Sequence, residues 1–254
     1  MEHLFSRIDK ECFSVFDHIS RRAGKAIVEY GMIREGDKVL VAVSGGKDSL
    51  TLLNVMLHRK AIAPVDFELM AVHVDMGMPG PDIAKLEAYL KETGAPYLIE
   101  HSDLFRTSDG DPHPDLNCFW CSWNRRKILF KLADRLGFNR IALGHHLDDI
   151  VETILLNQFF KGEISAMCPK QEVFDGKMAI IRPLALEHEA RIIDFANRAG
   201  LLSFEGCRCP WAGDTQRAAV KEMLKGFEKV NRGVKENIFN SLSKILPEYL
   251  PQKV

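Results

Sequence analysis

Apolar residues recur along this chain with two periods, and the period changes at turn residues. Over residues 8–30, Phe13, Phe16, Ile19 and Ala23 fall at helical spacing, which predicts an amphipathic helix carrying Arg21, Arg22 and Lys25. Residues 37–43 form a short β-branched run that stops at Ser44-Gly45-Gly46, the mark of a buried strand. Helix is predicted over 49–58, and a second buried strand over 67–74. Asp82 opens a helix that runs to 93, and 96–99 reads as a third strand. The Asp- and Pro-rich stretch 102–117 reads as a loop. Helix resumes near Cys118, with Ile128, Leu129, Leu132 and Leu136 on one face. Strands at 140–143 and 178–181 alternate with helices at 148–160 and 188–198, and from Thr215 the pattern is helical only.

Strands alternating with helices define an α/β fold, a doubly wound and mainly parallel Rossmann-like sheet covered on both faces. It has an N-terminal helix and a C-terminal helical extension. The chain divides by pattern into a helical segment over 1–35, the α/β domain over 36–200, and a cysteine-bearing loop with helices over 201–254. In such sheets ligands sit at the carboxyl ends of the strands, near the point where strand order reverses.

Composition changes this picture in two places. The 254 residues are 46% hydrophobic, enough for a full core, and no apolar run has the length of a bilayer span. Residues 1–7 carry no basic stretch followed by an apolar one, so the protein is expected in the cytoplasm, with no membrane partner. There, its six cysteines point to metal binding or catalysis rather than to a disulfide framework. The formal net charge of −1 gives no general attraction to polyanions, so nucleic-acid binding would rest on local clusters.

Ser44-Gly45-Gly46-Lys47-Asp48-Ser49 lies between a strand and a helix. Adjacent glycines let the backbone turn sharply and approach a ligand, and the amides at the following helix N-terminus favour an anion. Ser44, Ser49 and Lys47 add donors. Asp48 repels a bare phosphate, but it fits a site where Mg²⁺ bridges carboxylate and phosphate. The spacing is not that of the common mononucleotide P-loop.

Gly144-His145-His146-Leu147-Asp148-Asp149 again leaves a strand and opens a helix. The helix dipole alone favours two carboxylates there. The alternative is that one of them binds Mg²⁺ or orients a substrate, with Glu152 one turn on. His145 and His146 are either ligands or structural hydrogen-bonders.

Cys118-Phe119-Trp120-Cys121 places two sulfurs at i and i+3, on one face of a predicted helix and beside Arg125, Arg126 and Lys127. Cys207-Arg208-Cys209-Pro210 forms a second group, with a proline of the kind that follows cysteines in iron–sulfur sequences. Four sulfurs would suit a closed Zn²⁺ site; three would leave one iron of a 4Fe–4S cluster open. Cys12 and Cys168 read as ordinary small apolar residues. Arg217, Lys221, Lys225 and Lys229 recur at i, i+4, with Arg232 and Lys235 beyond, either as a phosphate-tracking stripe or as a solvated face. Gly226 is expected to bend or break that helix. Phe119 and Trp120 are candidate base-stacking surfaces or core residues.

The Ser-Gly-Gly-Lys-Asp-Ser loop resembles that of the PP-loop N-type ATP-pyrophosphatases. With Gly-His-His-x-Asp-Asp, the Cys-x-x-Cys pair and the late cysteines, the chain from about 10 to 250 resembles the tRNA 2-thiocytidine synthetases. The late motif departs from the family's Cys-x-x-Cys, being Cys-x-Cys here. The resemblance implies ATP bound at Ser44, Gly45, Gly46, Lys47, Asp48 and Ser49, bordered by His73, Asp75, Gly144 and Asp149. It implies a 4Fe–4S cluster on Cys118, Cys121 and Cys209, with Cys207 as the alternate. Asp48, Asp149, Arg125 and Cys209 take the catalytic roles. The implied reaction is thiolation of cytidine 32 of tRNA through an adenylated C2 oxygen, with Mg²⁺. A cysteine desulfurase or inorganic sulfide is the expected sulfur donor, and a homodimer the expected assembly. The alternatives are sulfur transfer to another tRNA base or to a small molecule, and a non-enzymatic iron–sulfur or zinc sensor that binds nucleic acid.

Overall fold

Asp9 starts the first helix: its carboxylate accepts the Cys12 amide at 2.7 Å, and α1 runs Lys10–Glu29. Then follow β1 (Lys38–Ala42), α2 (Lys47–Ile62), β2 (Glu68–Asp75), α3 (Ile83–Thr93) and β3 (Tyr97–His101). Next are α4 (Cys118–Leu136), β4 (Arg140–Ala142), α5 (Leu147–Lys161), β5 (Lys170–Val173) and β6 (Met178–Ile181). The chain ends with α6 (Glu189–Arg198), α7 (Thr215–Val230) and α8 (Val234–Ser241). This computed structural model describes residues 8–77, 82–105, 113–203 and 215–250.

The strands form one six-stranded sheet in the order β3-β2-β1-β4-β6-β5, parallel except for β5 against β6. Side chains alternate across it as a pleated strand requires. Val39 and Val41 of β1 and Ala71 of β2 pack with Leu50 and Leu53 of α2, Leu86 of α3, and Phe16 and Phe195 of α1 and α6. Leu40, Val72, Val74 and Ile141 point the other way, onto Leu129, Leu132 and Ala133 of α4. At the amino ends of the strands, Asp37 ties β1 to β4, holding Arg140 Nε at 3.0 Å and accepting from Asn139 Nδ2 at 2.9 Å.

Strand order reverses between β1 and β4, so the loops that leave their carboxyl ends flank the switch point. Those loops carry the two signature motifs. Parallel strands with helices on both faces are what the alternation predicts. The strand β5, with sequence Lys-Gln-Glu-Val, lacks any apolar run and was not predicted.

Two compact units make up the chain: Met1–His146 with Pro169–Gly213, and Leu147–Cys168 with Asp214–Val254. The first holds the sheet. In the second, Leu147, Val151 and Leu155 of α5 pack with Val220 and Leu224 of α7. Helix α7 continues through Gly226 to Val230, so of the expected bend or break the break does not occur. A Cβ on Gly226 would meet nothing within 4 Å, so no close approach requires glycine there.

Candidate functional site

The first motif is built around Ser49. Its hydroxyl accepts from the Ser44 amide and hydroxyl, both at 3.1 Å, and donates to the Gly46 carbonyl at 2.9 Å. This closes the loop on itself and fixes the first turn of α2. Gly45 has φ +86°, a left-handed conformation that only glycine adopts without strain. Gly46 is the N-cap of α2 and, having no side chain, makes no side-chain cap hydrogen bond of its own; its amide donates to Ser44 Oγ at 3.4 Å.

Gly144 completes the loop from the β4 side. A Cβ there would lie 3.0 Å from the Asp48 carbonyl carbon and 3.1 Å from the Ser49 amide nitrogen. The glycine is thus required by the close approach of two backbones, and it packs the second motif directly against the first. His146 Nε2 lies 3.8 Å from Asp48 Oδ1, and Arg182 Nε donates to His145 Nδ1 at 3.3 Å. Both histidines are therefore engaged with loop-supporting groups.

Lys47 Nζ contacts Asp48 Oδ1 at 2.8 Å and Glu189 Oε1 at 3.2 Å. Burial works to lower the Lys47 pKa, but hydrogen bonds and charge from Asp48 and Glu189 outweigh it, and the net shift is upward. Lys47 is therefore a fixed cation at the phosphate loop. Glu189, first residue of α6, is a partner that the sequence reading missed; an acidic residue in a first helical turn is ordinary and gives no signal of its own.

His73 is buried in β2. Its Nδ1 sits 2.7 Å from the Val43 carbonyl, while Nε2 is buried with no hydrogen-bond partner. Burial, first, and the positive charge of Arg125 lower its pKa, against opposing contributions from Val43 and Asp75. A neutral ring that donates through Nδ1 carries a lone pair on Nε2, and that buried acceptor awaits a donor. Asp75, at the strand end, accepts from the Gly77 amide at 2.9 Å and contacts His101 Nδ1 at 3.1 Å.

In α4, Asn117 caps the helix by accepting the Trp120 amide at 2.8 Å, so Cys118 and Cys121 occupy its first two turns. Arg125 Nη2 lies 3.8 Å from Cys121 Sγ. Cys207 and Cys209 lie outside the described residues, so the third ligand and its alternate have no described placement. Among the described residues no three His, Cys, Asp or Glu side chains gather as a metal site. Cys12 is buried, as an ordinary small apolar residue is expected to be, whereas Cys168, read in the same way, is exposed.

In the second unit, Asp148 is buried and its Oδ1 lies 2.6 Å from Lys235 Nζ, which also reaches Glu228 at 2.7 Å. Arg217 lies 4.0 Å from Asp149 and 3.8 Å from Glu152. Burial works to lower the Lys235 pKa, and Asp148 and Glu228 reverse it, leaving the group raised. The basic stripe is thus partly consumed inside its own unit, and Lys225 is paired with Glu222 at 3.0 Å. The α1 cations are paired too: Arg21 with Asp17, Arg22 with the Leu186 carbonyl and Glu187, Lys25 with Glu29.

A parallel sheet with a glycine-rich loop at its switch point is the arrangement of nucleotide-binding α/β proteins, and the PP-loop domain family matches residues 16–206. The tRNA-cytidine(32) 2-sulfurtransferase of Geobacter sulfurreducens is 41% identical over 238 residues, 92% of this chain and 92% of that protein. The protein of the same name from Paracidovorax citrulli is 41% identical over 246 residues, covering 96% and 79%. The chain belongs to this family of PP-loop proteins. Its fold is that of the U34-tRNA thiolase NcsA of Methanococcus maripaludis, solved with its [4Fe-4S] cluster. The TM-score is 0.73 at 23% identity, covering 94% of this chain and 81% of that one.

Proposed function

We propose that the protein is an ATP-dependent tRNA sulfurtransferase that replaces the C2 oxygen of cytidine 32 with sulfur, as its relatives are named to do. The observation that carries this reading is the backbone contact of Gly144 with Asp48 and Ser49, which joins the two signature motifs at the sheet's switch point.

In this reading the amides of 44–49 and Lys47 receive the phosphates of ATP, and Asp48 would hold Mg²⁺ against them. His73 and Asp75, at the end of β2, border the adenine, as the family resemblance implies. Asp149 is a second carboxylate, assigned from its motif. The cytidine O2 attacks the α-phosphorus, the bond to the β-phosphate oxygen breaks, and pyrophosphate leaves. Charge developing at the α-phosphate falls to Arg125 in this reading. The C2 carbon then carries AMP in place of a poor leaving oxygen. A sulfur nucleophile adds at C2, and AMP departs with the C–O bond's electrons.

The donor set suits a thiolate-ligated cluster: Cys118 and Cys121 one turn apart on α4, with a guanidinium 3.8 Å from Cys121 Sγ. Cys118, Cys121 and Cys209 would hold a 4Fe–4S cluster, with Cys207 as the alternate, and when bound it supplies sulfur carriage and Lewis acidity. A cysteine desulfurase or sulfide as donor, and a homodimeric assembly, belong to the same reading. So does a cytoplasmic site of action; no helix among the described residues is long and apolar enough to cross a membrane.

Nucleoside mass spectrometry of tRNA from the host with and without this gene tests the reading. Loss of 2-thiocytidine alone is expected, with Asp48→Ala failing to restore it. Loss of another thionucleoside would move the substrate, and an unchanged profile would refute tRNA thiolation.

A further inference from the structure

The first two turns of α4 present an aromatic face that the phosphate and cysteine sites do not use. Phe119 is 76% exposed and Trp123 48%, although aromatic side chains of this size normally bury most of their surface. Their rings lie one helical turn apart, 6.4 Å between centroids and within 12° of parallel. Lys127, one turn further on, holds its ammonium 5.5 Å over the Trp123 ring. Arg126 and Lys127 are exposed, and among the described residues no carboxylate pairs with either. Each residue of a helix advances about 100°, so 119, 123 and 127 lie on roughly the opposite side from 118, 121 and 125. Trp120, by contrast, packs into the core cluster with its ring 4.6 Å from His113.

We propose that Phe119, Trp123 and Lys127 form a stacking platform for unpaired bases of the tRNA loop, on the side of α4 away from the cysteines. This rests on the tRNA reading above and adds to it the surface that holds the loop. Parallel exposed rings offer π-faces to any base, and unpaired cations beside them meet the phosphates, the combination that binds single-stranded nucleic acid. The same charge complementarity disfavours a second copy of this chain, whose like-charged α4 would be the matching partner.

The test measures binding of an RNA hairpin with a single-stranded loop, and of its fully paired stem, over a range of salt. The Phe119→Leu/Trp123→Leu pair keeps apolar area but loses the π-faces. It should bind the hairpin ~10-fold or more weakly, with the stem and the salt slope unchanged. The Phe119→Tyr/Trp123→Phe pair should stay near wild type, and Lys127→Ala should reduce the salt slope by about one. Hairpin binding should also quench tryptophan fluorescence in wild type, and Trp123→Phe should remove that share. If the leucine pair binds the hairpin as wild type does, or Trp123 contributes no quenching, the platform is wrong while the tRNA reading stands. If the leucine pair keeps the hairpin but loses self-association, the face belongs to a second copy and the proposal is overturned. If wild type binds no hairpin, both readings fall.

Discussion

At the scale of single residues, the site depends on positions where one atom more or less is decisive. Gly144→Ala places a methyl 3.0 Å from the Asp48 carbonyl carbon, so the first turn of α2 must shift by a few tenths of an ångström. The expected result is ATP affinity reduced ~10-fold by calorimetry, with stability lowered by only about 1–2 kcal/mol. His73 makes a prediction with a sign. Its pKa is lowered in the folded chain, chiefly by burial, so below about pH 6.5 the unfolded chain takes up a proton that the folded chain refuses. Stability contributed by the neutral ring is present above that pH and falls as the solution is acidified. His73→Asn should therefore flatten the acid limb of a urea-unfolding series, and an unchanged limb would mean that the ring protonates freely in place. The glycine was legible in sequence because a motif surrounded it; His73 entered only through the family resemblance. Trp123 and Glu189 were not legible: one lay on a helix face whose exposure depends on what packs nearby, the other is ordinary chemistry for a helix start.

Elements were legible where their faces differ. The alternation of Val39, Leu40 and Val41 between the two cores gives β1 its unbroken apolar run, and the amphipathic α1 and α6 announce themselves in the same way. The edge strand β5 fails this test because one neighbour and two half-open faces let it be Lys-Gln-Glu-Val. The stripe on α7 and α8 exposes a second limit: spacing tells which residues share a face, not what that face meets. Helix α8 spans only Val234–Ser241 behind a glycine N-cap that makes no side-chain hydrogen bond. Such a helix is held by tertiary contacts, here Ile238 and Phe239 against the small core and Lys235 between Asp148 and Glu228. Lys235→Met would remove the ammonium that lies 2.6 Å from the buried Asp148 carboxylate. A loss of about 3 kcal/mol from the second unit is expected by chemical denaturation, and Lys235→Arg should recover part of it. Equal stability of the methionine variant would show that the pair is incidental.

Over the whole molecule, the grouping of elements departs from their order along the chain. Helix α5 follows β4 in sequence like any crossover helix of the sheet, yet it clusters with segments that begin some sixty residues later, at Asp214. Sequence period cannot report this, because the apolar face of α5 reads the same whichever surface covers it. The cover is Val220 and Leu224 of α7, packed on Leu147, Val151 and Leu155. The sheet unit, in contrast, carries two large cores of its own. Ending the chain at Gly213 should therefore uncover the α5 face and remove both Lys235 and Arg217 from its acidic residues. Hydrogen exchange is the measurement: amides of α5 should lose protection while those of β1, β2 and β4 keep it, since local stability follows local burial. Tryptophan and denaturation signals from the sheet unit should persist, and the shortened chain should be prone to association through the exposed stripe of α5. Retained protection in α5 would mean that the sheet unit alone supports the helix bearing Asp148 and Asp149, and would reassign what positions those carboxylates.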